Sequence, residues 1–313
     1  MKNTRIVFMG TPQFAANILD GLMKDGYNIV GVVTQTDKKV GRKQVITYTP
    51  VKEVALKYDL KIFQPVKIRN EYQAILDLDP EIIITCAYGQ FLPSAILDYP
   101  KYGCINTHGS LLPKYRGGAP IQWSIINGEK ETGITLMYMD KKMDEGDILF
   151  QEKLTIDEDD TSKDLFLKLS DLALKMLREH LIDIIDNNIQ PLKQNHKEAT
   201  YAYNLTKQDE YIDFKEDYQK VYNHIRGLLD NPGAYSIIDN KKVKFHKVRK
   251  LNEVITEPGI FYGLYDNGLL IGAIGGSIIV DEIQIEGKNK MQAKDFFNGS
   301  GKNLVGKHFE DVN

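Results

Sequence analysis

The chain has 313 residues, 42% hydrophobic and 27% charged, with a formal net charge of −3. That length suits about two domains and is too great for one small core. The near-neutral charge excludes a global nucleic-acid signature, so any such binding must come from local patches.

No apolar run approaches the ~20 residues that cross a membrane. Met1–Arg5 leads straight into a strand without the apolar core of a signal peptide. Cys86 and Cys104 both lie in apolar, strand-like runs, as inert thiols of a reducing compartment do. We expect a cytoplasmic, monomeric protein with no membrane association.

In chain order, Arg5 to Met9 reads as a short apolar strand and Gly10-Thr11-Pro12 as a turn. Pro12 can open a helix because its missing N–H would be unpaired there anyway. Phe14, Ile18, Leu19 and Leu22 then recur at helical spacing. Tyr27 to Val33 is the next strand, and residues 34–49 read as a polar, basic loop. A helix over 50–58, a brief strand at 61–63 and a helix over 72–78 precede the strand Glu81 to Ala87, with Ile82, Ile83 and Ile84 in a row. Continuous apolar runs suit a parallel sheet covered on both faces. The alternation predicts an α/β domain with a doubly wound, mostly parallel, Rossmann-like sheet.

A strand at 104–108, a helix over 119–127 with Trp123, and strands at 132–139 and 148–156 follow. Residues 161–185 form the clearest helix, with Thr161 and Asp164 as a capping box and Leu165, Leu169, Leu172, Met176 and Ile184 as its apolar stripe. Residues 190–206 are polar and aperiodic and read as a linker between domains at 1–189 and 207–313. Beyond a helix over 217–229, short strands with turns at Asp239-Asn240 and Asn267-Gly268 predict a small C-terminal β-barrel, OB-like.

Asn106 and His108 stand two positions apart at a strand end, so both project to one side. One is a neutral donor and the other titrates near neutrality, which suits charge building on a carbonyl oxygen. Two capped polar residues at a strand end are the plain alternative. Asp144, in the acidic turn 143–147, is either a solvated turn residue or the carboxylate that orients His108. The first strand–helix turn lacks G-x-G-x-x-G, which argues against a dinucleotide. No histidine, cysteine and carboxylate spacing suggests a metal. Four basic side chains in 36–43 either face solvent or meet phosphate. Residues 241–250 alternate basic and apolar, a pattern that places much of the charge on one strand face.

Asn106-Thr107-His108-Gly109-Ser110-Leu111-Leu112-Pro113, then Tyr115 to Trp123, then Met143-Asp144-Glu145-Gly146-Asp147, resemble the core of the folate-dependent formyltransferases. The opening Phe8 to Phe14, the Gly41-Arg42 loop and Asn204-Leu205-Thr206-Lys207 narrow the resemblance, over nearly the whole chain, to the bacterial methionyl-tRNA formyltransferases.

The resemblance implies formyl transfer from 10-formyltetrahydrofolate to the α-amino group of methionyl initiator tRNA, with no metal. It implies that Asn106 and His108 bind the developing oxyanion and that Asp144 orients His108 and helps remove the amine proton. It also implies that Ser110, Leu111, Leu112 and Pro113, with Tyr88 and Gln90, form the folate site, and that Arg42 and Lys43 approach the tRNA acceptor end. The family often carries a Trp before the Pro-Gly-Ala at the barrel start; Asn231 stands there instead. Three alternatives remain open at this point: a formyltransferase for a nucleotide-linked amino sugar, a folate hydrolase releasing formate, and a non-catalytic RNA-binding protein.

Overall fold

The computed structural model describes residues 3–40, 44–229 and 231–310. Arg42 and Lys43, expected at the tRNA, lie outside the described residues. The chain divides into two units, one of Met1–Pro120, Glu131–Thr155 and Phe166–Tyr203, the other of Ile121–Lys130, Ile156–Leu165 and Asn204–Asn313.

The first unit starts with β1 (Ile6–Gly10), α1 (Gln13–Lys24), β2 (Ile29–Val33), β3 (Lys38–Val40), β4 (Val45–Thr47), α2 (Pro50–Lys57) and β5 (Ile62–Phe63). It continues with α3 (Gln73–Leu76), β6 (Ile82–Cys86), α4 (Ser94–Leu97) and β7 (Cys104–His108). Next come α5 (Pro120–Ile126), which falls mostly in the second unit, then β8 (Glu131–Tyr138), β9 (Ile148–Thr155) and α6 (Ser162–Ile185). Seven strands form one sheet in the order β5-β2-β1-β6-β7-β8-β9. The pairs from β5 through β7 are parallel, and β8 and β9 close the sheet antiparallel. β1 and β6 are buried along their whole length, which is why their sequences read as unbroken apolar runs.

Two readings of the sequence change. The segment 34–49 is not simply a loop: β3 and β4 pair antiparallel, Lys38 with Thr47 and Val40 with Val45. The pair forms a two-stranded sheet of its own and leaves Val45 and Ile46 exposed, so no core-facing alternation marks it in the sequence. At its base Lys52 Nζ meets Asp37 Oδ2 at 2.5 Å, and this bond holds the Asp37 carboxyl below the usual carboxylate range.

The aperiodic stretch 190–206, read as a linker, is the second case. Through Tyr203 it belongs to the first unit. Leu192 exchanges both backbone hydrogen bonds with Ile148 at 2.8 Å, and Gln194 is buried. At the start of α6 the capping box forms as expected: Thr161 N donates to Asp164 Oδ2 at 3.0 Å and Asp164 N to Thr161 Oγ1 at 3.3 Å.

The second unit contains α7 (Tyr218–Leu228), β10 (Tyr235–Ile238), β11 (Lys241–Leu251), β12 (Phe261–Tyr265), β13 (Gly268–Ala273), β14 (Gly276–Ile285), β15 (Met291–Gln292) and α8 (Ala293–Gly299). Its curled antiparallel sheet runs β10-β11-β14-β13-β12, with β15 on β14. Asp239 and Asn240 both take positive φ, 54° and 58°, the conformation of a tight hairpin turn matched to strand twist. Phe214, Phe245 and Phe309 pack together in the core.

The basic alternation of β11 does not make a uniform charged face. Its ladder to β14 slips on either side of Lys247. Arg249 is bound by Asp281 and Asp266, Lys250 by Glu158 and Gln219, and Lys244 by the Pro232 carbonyl.

Candidate active site

β7 is the last strand of the parallel half. Asn106 pairs with Thr85 of β6 on one side and Met137 of β8 on the other, and His108 lies opposite Thr135. Both side chains thus emerge where the parallel and antiparallel halves meet, at a carboxyl end of the sheet, the usual place for a ligand in open α/β folds.

The turn between β8 and β9 brings Asp144 to them. Asp144 Oδ2 lies 3.7 Å from His108 Nδ1, and Oδ1 accepts from Asn106 Nδ2 at 3.4 Å. Gly117 N donates to Oδ2 at 2.8 Å. The structure therefore brings the three expected catalytic residues together.

The ring of His108 is oriented from its far side. Nε2 stands 2.9 Å from the Tyr115 carbonyl, which can only accept, so Nε2 carries a proton. Nδ1 is then the nitrogen that faces Asp144. A second proton on Nδ1 makes the contact an ion pair, whereas a bare Nδ1 would oppose its lone pair to the carboxylate.

The amide of Asn106 is oriented too. Thr85 Oγ1 stands 2.9 Å from Asn106 Oδ1, a bond that takes up the carbonyl end and turns the NH2 end toward Asp144. The same hydroxyl also lies 3.1 Å from the Ile105 carbonyl and from Met139 Sδ.

A buried network holds the Asp144 turn. Arg116 is 1% exposed, and its Nη1 lies 3.3 Å from Glu145 Oε1. Its Nε and Nη2 donate to Gln194 Oε1 at 3.1 and 2.6 Å, and Nη2 also reaches His196 Nδ1 at 3.2 Å. Gln194 Nε2 in turn donates to the carbonyls of Asp144 and Gly146, both at 2.8 Å. The buried charge is thereby paired and its donors are used, which burial demands. Asp144 itself sits at φ 52°, in the left-handed region that Asp enters more readily than most non-glycine residues. Gly146 has no room for a side chain: a Cβ there would lie 1.9 Å from the Tyr138 carbonyl oxygen.

The six residues expected at the folate are placed differently from one another. Ser110 is buried, and its hydroxyl donates to the Lys114 carbonyl at 2.7 Å. Leu112 N donates to Thr135 Oγ1 at 3.2 Å, its carbonyl accepts from Gln151 Nε2 at 3.0 Å, and its side chain packs with Met137 and Ile148. Leu111 lies over Gly133, and Pro113 is half-buried. The Tyr88 ring belongs to the core with Val7, Met9 and Val33, and burial raises its phenol well above the usual range. Gln90 spends its amide on Ile68 N and the Pro65 carbonyl. Four of the six side chains serve the protein frame. Leu111 and Pro113 are partly exposed, and Phe91, beside Gln90, is exposed.

Three residues that matter here escaped the sequence reading, Thr85, Gln194 and His196, and Glu145 was visible only within the acidic turn. Gln194 and His196 stand in the aperiodic stretch, which carries no periodic signal. Arg116 was visible only as part of a motif, and nothing in the chain's patterning announces its burial.

The model of the family described as formyl transferase matches residues 4–181, and that of the formyl transferase C-terminal domain matches residues 204–301. A methionyl-tRNA formyltransferase of Malacoplasma penetrans is 42% identical over 306 residues, spanning 97% of this chain and 96% of that protein. Its counterpart from Lactiplantibacillus plantarum is 46% identical over 303 residues, 95% of this chain and 96% of that protein. Among solved structures, the sugar 3N-formyl transferase WlaRD, crystallised with dTDP and 5-N-formyl-THF, shares 25% identity at a TM-score of 0.66, covering 91% of this chain and 99% of that one. HypX from Aquifex aeolicus shares the fold, with a TM-score of 0.71 at 17% identity over 99% of this chain and 52% of that one. The chain belongs to the formyl transferase family, in near full-length similarity to its methionyl-tRNA formyltransferases.

Proposed function

We infer that this enzyme transfers the formyl group of 10-formyltetrahydrofolate to the α-amino group of methionyl initiator tRNA, acting as a cytoplasmic monomer. The observation that carries the acceptor is the 42–46% identity to methionyl-tRNA formyltransferases over 95–97% of the chain, second unit included. WlaRD, which acts on a sugar, supports the same chemistry at lower identity.

The site suits that chemistry. The neutral amine attacks the formyl carbon and forms a C–N bond while the carbonyl oxygen takes up negative charge. Asn106 Nδ2 and His108 Nδ1, when protonated, are donors for that oxyanion. The Asp144 carboxylate, beside both, accepts the proton that the amine must lose. Collapse of the tetrahedral species breaks the bond to N10 of the folate, which takes a proton as it leaves. Residues Ser110 to Pro113, with the loop around Tyr88 and Gln90, would hold the donor through backbone groups. Arg42 and Lys43 would meet the acceptor strand.

The test is formyl transfer from 10-formyltetrahydrofolate to charged initiator tRNA, run beside an elongator methionyl-tRNA and a nucleotide-linked amino sugar. Transfer confined to the initiator supports the reading. Transfer to the sugar alone would reassign the acceptor, and formate release with neither acceptor would make the protein a hydrolase.

A further inference from the structure

The extended segment 200–203 runs along the loop that frames the catalytic residues. Arg116 N donates to the Thr200 carbonyl at 2.9 Å, Ala202 N to the Arg116 carbonyl at 2.7 Å, and Ala119 N to the Ala202 carbonyl at 3.0 Å. Gly117, in the same loop, donates to Asp144 at 2.8 Å, and a Cβ on Gly117 would stand 2.6 Å from the Ala202 oxygen. That oxygen therefore lies within about 8 Å of the catalytic carboxylate.

Ala202 is buried, and its neighbours Tyr201 and Tyr203 turn the other way, 48% and 63% exposed. Their rings are parallel, with centroids 5.6 Å apart and planes 4° apart. Two large flat side chains are thus held in register at the surface, on a segment bonded to the loop that carries Tyr115 and Gly117.

We propose that Tyr201 and Tyr203 form a stacking platform for the unpaired nucleobase at the 3′ end of the acceptor RNA. The proposal rests on the tRNA reading above and deepens it. The amino acid is esterified to the terminal ribose, so about four bonds, roughly 5 Å, separate the reacting nitrogen from that sugar. The attached base must lie roughly another 5 Å beyond, and Tyr201 and Tyr203 flank the residue whose oxygen stands within about 8 Å of the carboxylate. Such a base is single-stranded and has both faces to cover, and aromatic side chains are its usual partners. A stacking platform also has a role that the lysines of the chain cannot fill. It fixes the plane of the terminal nucleotide, and with it the approach of the amine to the formyl carbon.

The test uses the full-length enzyme and uncharged tRNA whose 3′-terminal base is 2-aminopurine, a fluorophore quenched by stacking. Wild type, Tyr203→Phe and Tyr201→Phe should quench it at saturation. Tyr203→Ala and Tyr203→Leu should lose most of the quench and about tenfold in kcat/KM for methionyl-tRNA, with donor affinity and Tm unchanged. The Leu variant keeps the volume without the π face, which separates stacking from packing. Undiminished quenching and kcat/KM in folded Ala and Leu variants would overturn the platform. Turnover of methionyl-tRNA by wild type without any quench would overturn it too, and leave the tRNA reading standing. Absence of that turnover in wild type would instead sink the tRNA reading.

Discussion

His108 Nδ1 faces Asp144 Oδ2 at 3.7 Å, while Nε2 of the same ring is held by the Tyr115 carbonyl at 2.9 Å. One nitrogen is thereby committed to the frame and the other faces the carboxylate. Any donation by His108 to a developing oxyanion has to come from Nδ1, on the side where Asp144 can balance the imidazolium.

Gln194 connects the buried Arg116 to the carbonyls of Asp144 and Gly146. Gln194→Glu keeps an acceptor for Arg116 but replaces two donors with a carboxylate oxygen. We expect kcat to fall roughly 10- to 100-fold through misplacement of Asp144, with KM for the folate little changed and the pH–rate profile shifted. A lower Tm with unchanged kcat and pH profile would make Gln194 a packing residue only.

Thr85 turns the Asn106 amide. Thr85→Val preserves shape and removes the hydroxyl, and should lower kcat about 3- to 10-fold, the order of one hydrogen bond, or ~1 kcal/mol. Thr85→Ser should restore it. Equal rates for the Val and Ser variants would show that the hydroxyl does not set the amide.

Much of this site was legible in the sequence because strand geometry is simple. The i, i+2 spacing of Asn106 and His108 is enough to place them on one side of β7. Asp144 was reachable only through its motif, since its partners are 27 to 38 residues away in sequence. Gln194 was invisible, because an aperiodic polar run looks the same whether it is solvated or buried. β12 also escaped, being interrupted by Gly263, where the ladder to β13 slips. The basic alternation of β11 misled for the same reason: a bulge changes which side a residue faces.

Gly146→Ala places a methyl 1.9 Å from a backbone oxygen. The turn has to move, at a cost of about 1–3 kcal/mol. Thermal unfolding should show a lower Tm, and turnover should fall with it because Asp144 is two residues away. Unaltered Tm and kcat would mean the turn yields freely.

Within the second unit, His224 is half-buried, and desolvation lowers its pKa below the usual 6.5, while Nε2 donates to the Asp209 carbonyl at 2.8 Å. Below pH 6.5 the unfolded chain binds this proton and the folded unit resists it. Stability from this group is therefore full above that pH and lost as pH falls, with a slope of at most about 1.4 kcal/mol per pH unit. Denaturant melts of wild type and His224→Gln between pH 5 and 7, a window chosen around the ordinary histidine pKa, should show the slope reduced in the variant. Identical slopes would assign the acid sensitivity elsewhere.

The most direct test is single-turnover formyl transfer to charged initiator tRNA by wild type and Asp144→Asn, with folate and tRNA saturating. The amide can still accept from Gly117 N but carries no charge for His108 and takes no proton from the amine. The expected result is formylmethionyl-tRNA from wild type and a rate lower by roughly a thousandfold or more in the variant, with folding and substrate binding intact. A near-normal rate in Asp144→Asn would remove the carboxylate from the mechanism.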